Sequence, residues 1–256
     1  MTVFTIALSK GGSTKTTTAA EVVAHLARCG RRVLAIDLDE QGNLSRRLGI
    51  DSDTEVAGDS AQLITGEVTA PEVAVASPAV AGATVVVGTH RLADVDRLPE
   101  TIVGLRDYLP QLAGEWDDIV IDTPPSLGTI TLAGLAAADQ VIAAIACRTE
   151  AYDQLDRLLD VIAQRIAPRL RPGQEVHWIV PGHYESRQLL DREVVELLNE
   201  RFPGKVTNPI RKAVAAGDAY TAGMPVSVFD PSSPIADDYR NAMTQITGLE
   251  AGRGAR

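Results

Sequence analysis

A glycine-containing turn near the start of the chain carries the residue types best suited to binding a phosphate. Residues 9–17 read Ser-Lys-Gly-Gly-Ser-Thr-Lys-Thr-Thr and directly follow an apolar run. An apolar strand, a glycine-rich turn and Lys-Thr at the start of a helix form the layout of a phosphate-binding loop. Backbone N–H groups of such a turn surround a polyphosphate, and the helix points its positive end at the same anion. Lys15 then supplies charge for the β- and γ-phosphates, and the Thr16 hydroxyl is placed to ligate Mg²⁺.

Two later apolar runs end in carboxylates. Residues 33–39 read Val-Leu-Ala-Ile-Asp-Leu-Asp, and residues 118–122 read Asp-Ile-Val-Ile-Asp. A carboxylate at the carboxyl end of a buried parallel strand lies where phosphates and Mg²⁺ collect in α/β proteins. Each of Asp37, Asp39 and Asp122, taken alone, is equally compatible with a helix N-cap or a turn. Together with the loop they favour a nucleotide and Mg²⁺ site, because all three motifs follow strands.

These motifs resemble those of the ParA/MinD family of dimerising ATPases. Residues 10–16, Lys-Gly-Gly-x-x-Lys-Thr, resemble the family's deviant Walker A loop, which carries an early lysine besides the usual one. Residues 37–43 resemble the switch I sequence D-x-D-P-Q-G-N, with Glu40 in place of proline. Residues 122–128 resemble the Walker B and switch II sequence D-x-P-P-S-L-G. The motifs occur in the family's order, and the resemblance extends over about residues 3–247.

The resemblance implies an ATPase that uses ATP and Mg²⁺, and it implies roles for individual residues. Lys10 is expected to reach across the interface of an ATP-bound homodimer, Lys15 to bind the nucleotide of its own chain, and Asp39 to orient the attacking water. The residues expected around the metal are Thr16, which ligates it, Asp37 in its outer shell, and Asp122, which holds a metal-bound water. The residues expected to contact the nucleotide are Lys10, Gly11, Gly12, Ser13, Thr14, Lys15, Thr16, Thr17, Asp122, Ile210 and Arg211.

One position of the loop departs from both the ordinary and the deviant Walker A pattern. The ordinary pattern G-x-x-x-x-G-K requires glycine at positions 9 and 14, where this chain has Ser9 and Thr14. The family also has glycine at position 14. If that position requires a positive φ, a β-branched residue is strained there. The sequence therefore raises the expectation that Thr14 lowers nucleotide affinity or alters the resting shape of the loop.

The carboxyl-terminal half resembles the ParA side of the family more loosely. Residues 184–187, Tyr-Glu-Ser-Arg, resemble a Y-D-x-R motif whose arginine region contributes to DNA binding, and residues 208–226 resemble a loop that walls the adenine and lies near the DNA surface. Arg211 stands at the family's proline in that loop, and Ala215 stands where many relatives carry a second DNA-contacting arginine. The residues expected to bind DNA are Arg187, Arg211 and Lys212.

The charge distribution bears on this expectation. The chain has a formal net charge of −10, which opposes binding to nucleic acid. Within residues 165–212, however, nine basic residues outnumber six acidic ones. This local excess is equally compatible with a solvated helix face and with a surface that contacts phosphates.

Alternating apolar strands and amphipathic helices predict an α/β protein with the three-layer P-loop NTPase fold, in which helices cover both faces of a mostly parallel, twisted sheet. We expect one domain over residues 1–247 and a frayed tail over 248–256. Expected helices cover 16–27, 98–112, 151–166, 189–201 and 235–246, with short helices in 58–76. Expected strands, besides those that end in the motifs, cover 84–88, 140–146 and 176–180.

The composition bears on the cellular compartment in which the protein is expected. No apolar run reaches the roughly 18 residues of a membrane helix, and the first strand begins too early to leave room for a signal peptide. Cys29 and Cys147 are the only cysteines and are expected to be buried free thiols, so a disulfide framework and a four-cysteine cluster within one chain are excluded. We expect a cytoplasmic, nucleoid-associated protein.

Three classes of function remain open. A ParA-like partition ATPase binds double-stranded DNA without sequence preference as an ATP dimer, and a ParB-like or adaptor protein stimulates its hydrolysis while it moves a plasmid, chromosome or protein cargo. A MinD-like ATPase binds membrane through an amphipathic carboxyl-terminal helix, which one leucine and three glycines in residues 247–256 cannot build. A metabolic or assembly enzyme of the same fold lacks support from a cysteine pair or a second substrate domain. A nucleotide switch that acts only on a protein partner is the remaining alternative to DNA binding.

Overall fold

The computed structural model describes residues 1–8, 14–148 and 150–250, and a seven-stranded sheet forms its centre. The strands are β1 (Thr2–Ala7), β2 (Val33–Asp37), β3 (Val75–Ala76), β4 (Ala83–Val86), β5 (Asp118–Asp122), β6 (Gln140–Ala146) and β7 (Trp178–Gly182). Their order across the sheet is β3-β4-β2-β5-β1-β6-β7. Every neighbouring pair is parallel except β3 with β4, which is antiparallel.

Helices connect the strands and cover the sheet. They are α1 (Lys15–Arg28), α2 (Asn43–Arg47), α3 (Ser60–Thr65), α4 (Ala70–Val73), α5 (Leu92–Val95), α6 (Gly104–Tyr108), α7 (Thr129–Ala137), α8 (Ala151–Val161), α9 (Leu189–Arg201), α10 (Ala215–Thr221), α11 (Val226–Phe229) and α12 (Pro234–Thr247). One core packs α1 and α12 against one face of the sheet. A second core packs α3, α6 and α7 against the other face, and a third core packs α7, α8 and α9 against the same face. The predicted three-layer architecture is therefore confirmed.

The inner strands are apolar because both of their faces are covered. Every residue of β2 and of β5 is buried, and alternate residues of each strand enter opposite cores. Parallel strands covered on both sides need a continuous apolar run rather than an alternating one. Such strands bring their carboxyl ends to one edge of the sheet, which is where the three motifs lie.

Several helices differ from the sequence expectation. The helix expected over 98–112 is broken into a 3₁₀ turn Pro99–Val103, the short α6, and a second 3₁₀ turn Leu109–Leu112. Pro110 lacks the N–H that a continuous helix needs. The helix expected over 151–166 is α-helical only to Val161 and ends in a π-helical turn. In contrast, the bounds expected for α9 are confirmed.

Some elements carry no sequence periodicity that would have predicted them. Residues 130–137 of α7 are all buried, so this helix has no polar stripe to mark its period.

The strand expected over 176–180 lies two residues later, because the pairing of β7 with β6 runs from Trp178 to Gly182. Cys147 is a buried free thiol as expected, whereas Cys29 is only partly buried.

Leu249, in the segment expected to fray, packs against the core formed by α1 and α12. Its carbonyl oxygen lies 3.1 Å from Nε2 of His25. Residues 251–256 lie outside the described part of the chain. Across the residues that are described, no helix combines the length and apolar character needed to cross a bilayer.

Candidate functional site

The carboxyl ends of β1, β5 and β2 are adjacent in the sheet and open into a cleft of about 840 Å³. Asp37 and Asp122 are direct register partners at the ends of β2 and β5. Lys15 starts α1 beside them, because α1 follows β1. The cleft is lined by Lys15, Thr16, Thr17, Asp39, Arg47 and residues of the 124–130 segment, among others. The fold thus brings together predicted site residues that are more than 100 positions apart in the chain.

Asp37 organises the segment that follows β2. Its Oδ2 accepts hydrogen bonds from the Ser45 N–H at 2.8 Å and the Ser45 hydroxyl at 2.7 Å, and its Oδ1 accepts one from the Asp39 N–H at 3.1 Å. Burial raises the pKa of Asp37 to about 6, although these three bonds oppose the shift. Asp37 therefore ties the start of α2 to the end of β2, which holds Asp39 in place.

Asp122 is fully buried, and neither of its carboxylate oxygens accepts a hydrogen bond from a described residue. Burial, followed by the charge of neighbouring Asp37, raises the pKa of Asp122, and Lys15 opposes the rise. The Thr16 hydroxyl also opposes it, without meeting the geometry of a hydrogen bond. A buried carboxylate with two unpaired oxygens needs a cation or an ordered water to offset its desolvation.

These residues fit a Mg²⁺ ion bound mainly through water and phosphate. Mg²⁺ keeps several waters and takes only one or two carboxylates plus substrate phosphates in nucleotide sites. Asp122 offers a carboxylate with free acceptor capacity, and Thr16 lies in the cleft beside it. In the described part of the chain no group of three or more His, Cys, Asp or Glu side chains forms an all-protein metal cage. Asp37 belongs to the surroundings of such an ion, since its oxygens already accept three hydrogen bonds.

Lys15 and Asp39 both line the cleft. Burial lowers the pKa of Lys15, while the charges of Asp122 and Asp39 oppose this. Asp39 is buried, and its Oδ1 accepts the Gln41 N–H at 3.0 Å. The arrangement places a cation for phosphates and a carboxylate for a water on the walls of one cavity.

A second cavity of about 350 Å³ adjoins the first and shares Thr17, Arg47 and Tyr220 with it. Its walls include Ile210 and Arg211, the two residues expected to wall the adenine. Ile210 is buried, whereas the Arg211 guanidinium turns away to Asp238. A base-sized cavity therefore lies beside the start of α1, with Ile210 as an apolar wall.

Arg47 was not identified by sequence reasoning. Its guanidinium carbon lies 4.8 Å from the centroid of the Tyr220 ring, and its Nη1 is buried without a hydrogen-bond partner in the described chain. The Tyr220 hydroxyl donates to Oδ1 of Asn43 at 3.0 Å. Burial lowers the pKa of Arg47. No signal in the sequence links α2 to α10, so only the fold shows that Arg47 stands between the two cavities.

The three residues expected to bind DNA line one shallow groove. Arg211 forms a two-pronged ion pair with Asp238, at 2.6 Å from Nε and 2.8 Å from Nη2. Lys212 pairs with Glu185 at 2.9 Å. Arg187 is exposed and forms no ion pair with another described residue. The local positive charge counted from the sequence is therefore partly neutralised by acidic neighbours.

The loop itself is only partly described. Lys10, Gly11, Gly12 and Ser13 lie outside the described residues, so their expected roles stay predictions. Thr14 is described, and it has φ −82° and ψ 15°. The expectation that this position strains a β-branched residue through a positive φ is therefore wrong. The Thr14 carbonyl accepts the Thr18 N–H at 2.8 Å, which closes the first turn of α1.

Comparison with known proteins agrees with this geometry. A family model described as an AAA domain matches residues 1–172. The chromosome partitioning protein ParA of Caulobacter vibrioides is 32% identical over 261 residues, covering 99% of this chain and 97% of the relative. The structure of apo McdA from Cyanothece superposes with a TM-score of 0.84 at 21% identity, covering 96% of this chain and 99% of that one. Cobyrinic acid a,c-diamide synthase from Mycobacterium smegmatis, with a bound ATP analogue and magnesium, superposes with a TM-score of 0.77 at 28% identity and 98% coverage of both chains.

Proposed function

Because this chain belongs to the ParA/MinD family of P-loop ATPases, we propose that it hydrolyses ATP slowly with Mg²⁺ and uses the nucleotide to dimerise. The observation that supports this most strongly is that Lys15 and Asp39 line one cleft, with the buried Asp122 at the end of β5 close enough for its charge to act on Lys15. The cleft would hold the phosphates of a nucleotide, and the adjoining cavity would hold its base.

Each residue contributes a distinct part of the chemistry. Lys15 stabilises the negative charge of the β- and γ-phosphates, where phosphoryl transfer concentrates charge. Asp39 accepts a hydrogen bond from the attacking water and orients it, since catalysis of this kind depends on positioning. Thr16 and Asp122 would hold Mg²⁺ and its waters, and the ion would supply charge that neutralises the phosphate oxygens. Asp37 keeps the Asp39 segment in register through its three hydrogen bonds.

We further propose that the ATP-bound dimer binds double-stranded DNA without sequence preference, through Arg187, Arg211 and Lys212. A chain with a net charge of −10 is repelled by DNA as a monomer, whereas a dimer joins two local basic surfaces. This would associate the protein with the nucleoid in the cytoplasm and let it segregate or position a plasmid, chromosome or protein cargo. A ParB-like or adaptor protein would stimulate hydrolysis.

The decisive experiment measures three properties of the wild-type chain with Mg–ATP, Mg–ADP and no nucleotide. Light scattering measures dimerisation, fluorescence anisotropy measures binding to two unrelated DNA duplexes, and vesicle pelleting measures membrane binding. We expect dimers and DNA binding with ATP only, equal affinity for both duplexes, and no pelleting. Dimerisation without DNA binding at low salt would leave a nucleotide switch that acts on a protein partner, and pelleting would favour the MinD-like alternative. A chain that stays monomeric in saturating Mg–ATP would refute the proposed nucleotide-driven dimerisation and the DNA binding that depends on it.

A further inference from the structure

Gly182, at the end of β7, contacts the first residue of the phosphate-binding loop that the structure describes. A Cβ added to Gly182 would lie 2.5 Å from Cγ2 of Thr14, 2.7 Å from its Oγ1 and 3.1 Å from its Cβ. The backbone of Gly182 is not in the left-handed region, so its conformation does not require glycine. What requires glycine here is the space that the Thr14 side chain occupies.

The strand side of this contact is held firmly. Gly182 is the register partner of Ala146 in β6, and its carbonyl accepts the Cys147 N–H at 2.9 Å. The next residue, His183, adopts a left-handed φ of 54°, which is unfavourable for a side chain other than glycine or asparagine. Tyr184 then donates its N–H to the Ile210 carbonyl at 3.0 Å. Backbone bonds thus pin both sides of Gly182, and a larger residue there would displace the loop rather than the strand.

The Thr14 side chain cannot avoid a residue at 182 by rotating. Rotation about the Cα–Cβ bond moves Cγ2 and Oγ1 but leaves Cβ at 3.1 Å, which is already a tight approach. Thr14 is also buried, and its carbonyl is held by the Thr18 N–H. Its hydroxyl has no hydrogen-bond partner within the described chain, so packing rather than bonding accounts for its place. Relief of a clash would have to come from a shift of the residues that precede Lys15.

We propose that Gly182 is a positioning residue for the nucleotide loop of this chain, because it supplies the volume that a threonine at position 14 needs. The pair sets where α1 begins, and hence where Lys15 stands relative to Asp39 and Asp122. The inference rests on the proposed nucleotide binding and extends it to a residue about 170 positions away. It also explains how threonine fits at position 14 with a negative φ.

The test combines Gly182→Ala with a graded series at position 14, namely Thr, Ser, Ala and Gly. With Thr14 present, Gly182→Ala should weaken Mg–ATP binding by about tenfold or more, because overpacking a tight contact displaces one side of it. Thr14→Ser removes the nearest atom, Cγ2 at 2.5 Å, and lets the hydroxyl rotate away, so it should rescue part of the affinity. Thr14→Ala leaves only the contact at 3.1 Å and should rescue most of the affinity, and Thr14→Gly should rescue all of it.

Two further readouts separate positioning from general instability. The KM for ATP should rise in Gly182→Ala, which a smaller folded fraction alone would not cause, and kcat should fall with it because Lys15 shifts relative to Asp39 and Asp122. Gly134→Ala serves as the matched control, because its added Cβ would meet Thr123 at 3.1 Å rather than Thr14. If Gly134→Ala lowers the melting temperature, it should lower it by the same amount in the wild-type and in the Thr14→Gly background.

The outcomes are distinguishable. If wild type binds Mg–ATP and Gly182→Ala binds it equally well, the positioning role is overturned while the proposed function stands. If Gly182→Ala loses as much Mg–ATP affinity in the Thr14→Gly background as in the wild-type background, the positioning role is also overturned. The same holds if neither Gly182→Ala nor the Gly182→Ala, Thr14→Gly double variant folds. A wild-type chain that binds no Mg–ATP refutes the proposed function and the positioning role together.

Discussion

Two ion pairs on the groove proposed to bind DNA allow a sharp prediction in which removing acidic groups strengthens binding. Arg211 pairs with Asp238, and Lys212 pairs with Glu185. Both basic side chains are about half exposed or more, at 49% and 62%, so a DNA phosphate has access to them. The phosphate must nevertheless compete with a carboxylate for each cation. Asp238→Asn with Glu185→Gln should remove this competition and raise DNA affinity. Asparagine at position 238 retains an oxygen for the Arg211 N–H, which Asp238 now accepts at 3.0 Å.

The magnitude follows from the exposure of these pairs. Exposed ion pairs contribute about 0–1 kcal/mol each, and 1 kcal/mol corresponds to about a fivefold change in affinity. Freeing two cations in each chain should therefore tighten DNA binding by up to roughly 25-fold for each chain that contacts DNA. The opposite change, Arg211→Ala with Lys212→Ala, should weaken binding equally on unrelated sequences. It should also flatten the slope of log affinity against log salt by about 0.9 for each lost phosphate contact, hence by up to about 2 units per chain.

The assay is fluorescence anisotropy of labelled duplexes across a salt series, in saturating Mg–ATP and with the dimer verified by light scattering. Arg32→Ala with Asp117→Asn is the matched control, because this exposed pair, joined at 2.9 Å, lies at the opposite edge of the sheet, before β2 and β5. Because it removes one basic and one acidic group, the control leaves the net charge unchanged and should change neither the affinity nor the slope. Unchanged affinity and slope in both groove variants would refute DNA binding through Arg211 and Lys212.

Four further predictions concern the nucleotide site and the core. Asp39→Ala should lower ATP turnover by about 100-fold with little change in Mg–ATP affinity, because it orients water rather than nucleotide; unchanged turnover would remove Asp39 from the mechanism. Lys10→Ala should leave nucleotide binding largely intact and abolish ATP-dependent dimerisation measured by light scattering, so a variant that still dimerises would contradict the cross-interface role. Arg47→Ala should weaken nucleotide binding by about tenfold, because a buried guanidinium nitrogen loses an acceptor on the ligand, and the same affinity in the variant would exclude that contact. Burial raises the pKa of Glu21, so its contribution to the unfolding free energy should fall as pH rises from the unfolded value toward the folded one, at up to about 1.4 kcal/mol per pH unit. Denaturant titrations of wild type and Glu21→Gln should then differ by an amount that changes with pH over that range, and a constant difference would contradict the assignment.

Much of the site could be predicted from the sequence because its chemistry is written in short, local patterns. The glycine-rich turn follows one apolar run, and each aspartate ends another apolar run. Such motifs can be recognised from residues that are only a few positions apart. In a parallel sheet every strand brings its carboxyl end to the same edge, so Lys15, Asp39 and Asp122 could be expected in one cleft before any contact was known. The end of α9 was also predictable, because Phe202, Pro203 and Gly204 follow it and proline and glycine stop a helix.

What depended on distant parts of the chain could be decided only by the tertiary structure. The pairing of Arg211 with Asp238 joins a loop to α12, 27 residues further along the chain, and it changes a basic surface counted from the sequence into a partly neutralised one. Arg47 meets Tyr220 only because α2 and α10 pack together. The backbone of Thr14 could not be inferred from its residue type, because its conformation depends on the space beside it. Gly182 provides that space, and it lies at the end of β7, an edge strand of the sheet. Two residues that pack together but lie far apart in the chain leave no local pattern in the sequence.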